Sequence, residues 1–171
     1  MIIFRPTQIL AKRLHLVLPT AAAPVTAPFA DWCAHGFTAD RYLYVIVTNT
    51  HSLFSVVTHG TGITSEDSFL QRALSAMREV LGDSGRIFAW EQHIAPATSS
   101  VQFAKYTDRR VMGSMNDLIY LAKNYLIDRD LSPIELSAKL NKTPMSYLWK
   151  RGSASSPDRA FDQMIRDAAG G

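Results

Sequence analysis

The segment that decides the fold is residues 42–58, with the sequence YLYVIVTNTHSLFSVVT. Its first part, residues 42–48, is apolar at odd and even positions alike, as expected of a strand covered on both faces. A second apolar run, residues 53–58, follows after the four polar residues 49–52, which are typical of a hairpin loop. The segment therefore predicts two paired antiparallel strands within a buried sheet.

On the N-terminal side of this hairpin the patterns are shorter. Residues 2–4 predict a strand, and residues 6–14 predict a helix whose apolar residues stand one turn apart. Residues 18–30 are rich in proline and alanine and have no period, so they predict a surface loop. Residues 31–37 predict a short turn or helix.

On the C-terminal side helices dominate. Thr64 or Ser65 predicts the cap of a helix that Gly82 ends. The buried stripe of that helix is predicted to contain Phe69, Leu70, Ala73, Leu74, Met77, Val80 and Leu81. Residues 86–93 fit a strand or a helix, and residues 101–106 alternate as a strand does.

Three further helix starts are marked by capping residues. Ser114 and Asp117 have capping-box spacing, so residues 113–117 predict the start of one helix. The run 132–135, Ser-Pro-Ile-Glu, predicts the start of another, which Asn141 stops. Residues 156–157 predict the start of the last helix.

Together these elements predict an α+β fold: a small, mostly antiparallel sheet packed by helices, with a helical C-terminal third. Regular alternation of strands and helices is absent, which argues against a doubly wound parallel sheet. The length of 171 residues is that of one domain, spanning 1–171. We expect the helices of residues 131–171 to pack on the same core.

Composition narrows the class of protein further. Hydrophobic residues make up 47% of the chain and charged residues 19%, which is typical of a globular protein rather than a disordered one. The single cysteine, Cys33, excludes an internal disulfide and a multi-cysteine zinc site. No segment has the length of a membrane span or the pattern of a signal peptide, so we expect a cytoplasmic protein. The net charge of +3 permits a nucleic-acid partner without requiring one.

Several segments, taken in order, resemble an uncharacterised family of small bacterial proteins known only as a domain of unknown function. They are Ile3-Phe4-Arg5 with Thr7-Gln8, Asp31-Trp32, Asp40-Arg41, Thr48-Asn49, Leu53-Phe54-Ser55, residues 110–118 (RVMGSMNDL), Leu140-Asn141 and Pro144-Met145. The resemblance covers nearly the whole chain, and residues 113–117 are its most specific part. It implies a bacterial or phage origin and a stand-alone domain, but no activity. In the family pattern an aromatic residue follows the tryptophan, which makes Cys33 a poor candidate for an essential nucleophile.

The first candidate site lies at the predicted helix start, residues 113–117. It consists of Arg109, Arg110, Ser114, Asn116 and Asp117. The N-terminus of a helix presents free N–H groups that hold anions, and arginines grip a phosphate or carboxylate with two hydrogen bonds. In the simpler interpretation, Ser114 and Asp117 only cap the helix, and the charge of Asp117 argues against a bound anion.

The second candidate site collects polar residues next to the ends of predicted strands. They are Arg5, Thr7, Gln8, Asp40, Arg41 and Asn49. These side chains could line one cleft together with the turn at Gly113. The simpler interpretation is a set of structural hydrogen bonds and an Asp–Arg pair.

Cysteine and histidine offer weaker candidates. Cys33 with a histidine at position 35, 51, 59 or 93 could form a thiol–imidazole pair, and Asp31 with His35 could hold a metal. The pair His51 and His59 is a second possible metal site. Neither metal spacing matches an established motif, and a lone cysteine usually packs as a small apolar residue. We therefore expect no metal and no cofactor.

Residues 131–151 resemble a degenerate helix-turn-helix. In that interpretation Thr143-Pro144 caps a second helix, and the residues that would contact DNA are Lys142, Ser146, Tyr147, Lys150 and Arg151. The second helix would be short and poor in base-reading side chains. Two ordinary packed helices explain the same pattern.

No set of acid, base and nucleophile stands out, so the sequence favours a non-enzymatic binding or interaction protein of the bacterial cytoplasm. Its partner would be another protein, a second copy of the chain or a nucleic acid, and a defence or toxin–antitoxin context suits such small domains. One alternative is an enzyme acting on a phosphate-bearing or nucleic-acid substrate, which requires Asp31, Asp40 or Asp117 to meet a histidine in one cleft. The other is a DNA-binding regulator that uses residues 131–151.

Overall fold

The structure is a computed structural model that describes residues 1–21, 27–106, 108–128, 130–152 and 154–171. Five strands form one sheet: β1 (Ile2–Pro6), β2 (Asp31–Ala39), β3 (Tyr42–Asn49), β4 (Ser55–His59) and β5 (Val101–Phe103). The helices are α1 (Gln8–Arg13), α2 (Glu66–Asp83), α3 (Ile87–Ala89), α4 (Arg109–Asp128), α5 (Pro133–Asn141), α6 (Ser146–Lys150) and α7 (Pro157–Gly170). Within the described ranges no helix is both long and apolar enough to cross a lipid bilayer.

The sheet has the strand order β4-β3-β2-β1-β5. The two longest ladders, β2–β3 and β3–β4, are antiparallel, whereas β1 pairs in parallel with β2 and with β5. The hairpin predicted from residues 42–58 is confirmed, with Thr48 opposite Ser55 and a loop at residues 50–54. The α+β class with a mostly antiparallel sheet is therefore confirmed.

Helices cover both faces of the sheet, which explains why residues 43–47 of β3 and 56–57 of β4 are apolar at successive positions. One face, formed by alternate residues such as Trp32 and Val45, packs on α1, α2 and Phe161 of α7. The opposite face, formed by residues such as Cys33 and Ile46, packs on α4, α5 and α6. The helical C-terminal region thus belongs to the same core as the sheet.

Two strand predictions need correction. Residues 31–37 are not a turn or helix: they belong to β2, a nine-residue strand between β1 and β3. Its alanines and glycine are weak strand formers, and hydrogen bonds to two neighbouring strands outweigh that preference. The predicted strand at 101–106 ends at Phe103, because the Lys105 carbonyl accepts a hydrogen bond from Arg5 instead of a strand neighbour.

Two of the segments that connect strands and helices contain short helical turns. Residues 86–93, which fit either class, are helical: α3 passes into a π-helical turn, Trp90–Ile94, and a 3-10 turn, Ala95–Ser99. The predicted loop at 18–30 ends in another 3-10 turn, Pro28–Ala30, and residues 22–26 lie outside the described residues.

The predicted helix start at residues 113–117 is wrong. Helix α4 begins four residues earlier, at Arg109, and the Asp108 carboxylate accepts the N–H of Arg110 at 2.8 Å. Ser114 does not cap: its hydroxyl donates to the Arg110 carbonyl at 2.9 Å, inside the helix. Gly113 is tolerated there at a cost of about 1 kcal/mol relative to alanine. Gly113 followed by Ser114 thus has the sequence pattern of a helix start although both residues lie inside α4.

Other helix ends agree with the sequence. Thr7 caps α1, and Ser65 caps α2 through a capping box, although α2 runs one residue beyond Gly82 to Asp83. Ser132 accepts the N–H of Glu135 at the start of α5, and Asn141 is the last residue of that helix. The predicted stripe of α2 is buried or half-buried throughout.

Helix α5 closes the free edge of the sheet at β4. The amide of Asn141 accepts the N–H of Ser55 at 2.7 Å and donates to its carbonyl at 2.9 Å, as a neighbouring strand would. The Ser137 hydroxyl accepts the N–H of Val57 at 2.8 Å and donates to the Pro133 carbonyl at 2.7 Å. Both α5 side chains are almost fully buried. The helix thus protects backbone groups that would otherwise pair with another chain.

We expect Ser137→Ala and Asn141→Leu each to lower the free energy of unfolding by about 1–3 kcal/mol, because each leaves buried backbone groups of β4 without a partner. Urea denaturation followed by circular dichroism measures the change. The exposed Asn124→Ala is the control and should stay within about 0.5 kcal/mol of the parent. Equal stabilities for all three variants would show that the edge contacts contribute nothing.

Candidate functional site

A polar cleft of about 240 Å³ opens on the face of the sheet that α4 and α6 cover. Strands β1 and β2 form its floor, the β3–β4 loop and the segment before α4 form two walls, and α6 forms the third. The side chains that line it come from Arg5, Asp31, Cys33, Thr50, His51, Tyr106, Asp108, Val111, Tyr147 and Arg151. The cleft therefore collects groups from five separate parts of the chain.

The floor of the cleft is an ion pair between Arg5 and Asp31. Arg5 and Cys33 are partners in the parallel ladder, and Asp31 lies two residues before Cys33, so all three side chains point to the same face. The Arg5 guanidinium donates through Nε and Nη2 to the two Asp31 oxygens at 2.9 and 3.0 Å. Its Nη1 donates to the Lys105 carbonyl at 2.9 Å. The pair thereby ties β1, β2 and the segment after β5 together.

The β3–β4 loop is held against β2 by Asn49. This fully buried amide donates to the Pro28 carbonyl at 2.8 Å and accepts the N–H groups of His51 and Ser52 at 3.1 and 2.9 Å. Thr50 donates its own N–H to the Asp31 carbonyl at 3.1 Å. These bonds fix the loop so that Thr50 and His51 face the cleft.

The third wall is made by Tyr147 and Arg151, one turn apart at α6. The Arg151 guanidinium lies over the Tyr147 ring, 5.1 Å from its centroid, and Nη1 donates to the Tyr147 hydroxyl at 3.1 Å. The same Nη1 donates to the His51 carbonyl at 3.2 Å, which links α6 to the loop. Within the described part of the chain, no carboxylate pairs with Arg151, and its Nε and Nη2 bind no acceptor.

Two titratable groups beside the ion pair, the Cys33 thiol and the Tyr106 hydroxyl, are held in their neutral forms. Burial raises the pKa of the Cys33 thiol to about 12, and burial raises the pKa of the Tyr106 hydroxyl as well, with Cys33 adding to it. Both groups are therefore protonated at neutral pH. A protonated thiol is a poor nucleophile, so the structure gives Cys33 no activation of the kind that catalytic cysteines require.

His51 is also driven towards its neutral form. Burial lowers the pKa of His51 from its ordinary value of 6.5, and the nearby positive charge of Arg151 lowers it further, whereas Asp31 acts in the opposite direction. The imidazole can thus accept or donate one hydrogen bond at neutral pH without carrying charge.

The structure brings together residues from two different sequence hypotheses. The cleft contains Arg5, which belongs to the second candidate site (the polar residues at predicted strand ends, here called the strand-end cluster). It also contains Tyr147 and Arg151, which belong to the predicted helix-turn-helix. Asp31 and His51 also meet there, which is the convergence that an enzyme would require. Apart from Tyr147 and Arg151, these residues are 20 to 146 positions apart in the sequence, so local patterns could not show that they meet.

The remaining members of the predicted strand-end cluster lie elsewhere. Thr7 caps α1 and Gln8 is exposed beside it. Asp40 and Arg41 form the turn between β2 and β3 with φ of 46° and 67°. That turn lies roughly 20 Å from the cleft, because the six residues from Cys33 to Ala39 are extended at about 3.3 Å each. These residues therefore do not line one cleft together, and an Asp–Arg pair forms between Asp31 and Arg5.

The predicted site at residues 109–117 does not form as expected. Ser114, Asn116 and Asp117 are inside α4, where their N–H groups belong to the helix ladder and cannot cradle an anion. Arg109 and Arg110 occupy its first turn and are exposed, next to Asp108 on the cleft wall.

The helix-turn-helix hypothesis is also at odds with this geometry. Helix α6 has only five residues, and Met145, not Thr143 or Pro144, is its N-cap. Ser146 and Lys150 are exposed, whereas Lys142 lines a separate cavity between α2, α5 and α7. Helix α5 is committed to the sheet edge, so it is not free to support a recognition helix.

The sequence patterns missed Thr50, Tyr106 and Asp108. The only local signal is that each lies in a short polar connection directly after a strand, where binding residues are common. Among the described residues, no three His, Cys, Asp or Glu side chains are grouped closely enough to hold a metal ion.

We expect Asp31→Asn to lower the free energy of unfolding by on the order of 3 kcal/mol, because Arg5 would keep its charge in a nearly buried position. Both side chains of the pair are only 12–13% exposed. The control is Asp162→Asn, which breaks the similar Arg86–Asp162 pair, where Asp162 is 39% exposed. That loss should stay near 1 kcal/mol in urea denaturation. A larger loss of stability for Asp162→Asn than for Asp31→Asn would contradict the structural role of the cleft pair.

We expect Arg151→Ala to raise the pKa of His51 towards 6.5, because the variant removes a positive charge that opposes protonation. Histidine ring signals in NMR spectra, followed from pH 4 to 9, report this pKa. Since the folded pKa is lowered, His51 favours unfolding as pH falls through 6.5, and the variant should show less of this loss. Lys150→Ala, one residue away but outside the cleft, should leave the titration unchanged.

Comparison with known families gives a match over most of the chain. The model of a domain of unknown function (DUF6933) matches residues 3–160, nearly the whole chain. Neither the curated proteins nor the solved structures include a match. The cleft residues from Arg5 to Arg151 all lie within the matched span. The chain therefore belongs to the DUF6933 family.

Proposed function

We propose that this chain is a non-enzymatic binding protein whose cleft holds a small ligand through an anionic group on Arg151. The observation that carries this proposal is the state of that guanidinium. It faces the cleft, and among the described residues it has no carboxylate partner and an unbonded Nε–Nη2 side. That side of a guanidinium matches the two oxygens of a carboxylate or phosphate.

The size and lining of the cleft favour a small polar ligand. A volume of about 240 Å³ is below the range of cavities that hold drug-sized molecules. Hydroxyl groups of Thr50, Tyr106 and Tyr147 provide neutral hydrogen bonds around it. Asp108 at the opposite wall would repel a second negative charge, so the ligand should carry a hydrogen-bond donor at that end.

The charges on the floor support binding more than chemistry. Both carboxylate oxygens of Asp31 accept hydrogen bonds from Arg5, so Asp31 is not free to act as a base. Cys33 and Tyr106 stay protonated at neutral pH, for the reasons given above. Among the described lining residues, neutral donors and the Arg151 cation are suited to holding a ligand rather than to activating a nucleophile.

One observation favours an enzyme as the second candidate. His51 shares the cleft with Asp31, and its lowered pKa keeps the imidazole in the form that accepts a proton. In that case His51 is the general base towards a phosphate-bearing substrate, and Arg151 stabilises its charge. A bacterial cytoplasmic setting remains part of either proposal, supported by the single buried thiol.

Isothermal titration calorimetry with acetate, glycine, succinate and inorganic phosphate tests the binding proposal. We expect at least one of these probes to bind the parent and to bind Arg151→Ala about 10- to 100-fold more weakly, the usual value of a charge-assisted hydrogen bond. Lys150→Ala is the matched control and should bind like the parent. Absence of binding to the parent, or equal binding by Arg151→Ala, would refute the proposal.

A further inference from the structure

A second concave surface lies at the opposite end of the β2–β3 hairpin. Two adjoining cavities of about 370 and 470 Å³ share Tyr42, Tyr44, Asp130 and Leu131 and form one open groove. The β2–β3 turn bounds one end of this groove, which we call the hairpin groove, and the first turn of α5 bounds the other. It shares no residue with the cleft around Arg151.

The described lining of the hairpin groove is negatively charged. Asp40, Asp130 and Glu135 line it from one end to the other, and no lysine or arginine of the described chain lines it. Neither Asp40 nor Asp130 forms an ion pair with a described residue. The whole chain has a net charge of +3, so this local excess of carboxylates stands against the overall balance.

A buried phenol in the centre of the groove provides a separate indication of a ligand. Tyr44 is only 7% exposed, and its ring lies between Phe37 and His59 at centroid distances of 5.4 and 5.3 Å. In the described part of the chain, no group hydrogen-bonds to the Tyr44 hydroxyl, although it lines both cavities. A buried hydroxyl without a partner is unfavourable, so a polar group supplied from outside would stabilise it.

The carboxylates near Tyr44 favour a positively charged partner for this site. Burial raises the pKa of Tyr44, and the charges of Asp40 and Asp130 raise it further, after the contribution of Tyr42. The phenol therefore lies in a negative potential that attracts a cation.

Exposed apolar surface flanks these charges. Tyr42 is 62% exposed and Ile127 is 72% exposed, and both line the groove. The face of Tyr42 suits a cation–π contact, in which arginine is the commonest protein partner. Ile127 offers an apolar contact to a bound segment, which a small polyamine would not use.

We propose that the hairpin groove docks a segment of a partner protein that contains arginine or lysine next to an apolar residue. The cation pairs with Asp40 and Asp130 and donates to the Tyr44 hydroxyl, while the apolar residue covers Ile127. Charge complementarity selects the segment, as in other interfaces where potentials of opposite sign meet.

The test uses fluorescence anisotropy of the full chain with two labelled, blocked hexapeptides, one alternating arginine and leucine and one alternating glutamate and leucine. We expect the arginine peptide to bind and added salt to weaken it. Asp40→Asn with Asp130→Asn should weaken it about fivefold to tenfold, as expected for two surface charge pairs. Asparagine tolerates the positive φ of position 40, so the double variant keeps the turn.

Matched variants keep this test specific. Glu66→Gln with Asp67→Asn removes two exposed carboxylates from α2 and should leave binding within twofold. Tyr44→Phe should weaken binding about threefold, and Arg151→Ala should leave it unchanged, since the cleft is separate. Equal binding of the glutamate peptide, no binding of the arginine peptide, or equal loss in the α2 control would overturn the proposal. Spermidine competing at lower concentration than the arginine peptide would also overturn it.

Discussion

The edge of strand β4 is the constraint on which the rest of the structure depends. Its outward backbone groups are buried, and buried N–H and C=O groups must be paired. Ser137 and Asn141 of α5 provide those hydrogen bonds at 2.7–2.9 Å, which fixes the position of the helix against the sheet. Helix α6 begins five residues after α5 ends, so the same contacts determine where Tyr147 and Arg151 enter the cleft. The hydrogen bonds that stabilise the β4 edge thereby also position Arg151, the candidate binding residue.

The two ends of the β2–β3 hairpin have opposite electrostatic character. At one end Arg5 neutralises Asp31, and Arg151 keeps a positive charge that faces the cleft. At the other end Asp40 and Asp130 are unpaired among the described residues, beside the buried Tyr44. Extended strands separate these regions by roughly 20 Å, beyond the Debye length at physiological ionic strength, so the charges at one end have little effect at the other. The two binding proposals are therefore independent of each other.

Residue patterns were most informative where burial and local preference agree. The β3–β4 hairpin and α2 could be predicted because each displays its hydrophobic period over a long run. Strand β2 could not be predicted, since Cys33, Ala34 and Gly36 show no alternation of apolar and polar residues. Its strand conformation depends on hydrogen bonds to β1 and β3. The α4 start was misplaced because Gly113, Ser114 and Asp117 have the spacing of a cap, whereas Asp108 has that role. Local spacing cannot distinguish a cap from a helix interior that tolerates the same residues.

The sequence by itself determined the α+β class, the central hairpin, most helix ends and membership of an uncharacterised family, because these depend on period, capping and composition. It also identified Arg5 and Arg151 as candidates, in two unrelated hypotheses. Only the tertiary structure decided that they share a cleft with Asp31 and His51, and that Asp40 and Arg41 do not. The physical reason is that side chains far apart in sequence meet only through strand register and helix packing. Neither is encoded in the spacing of neighbouring residues.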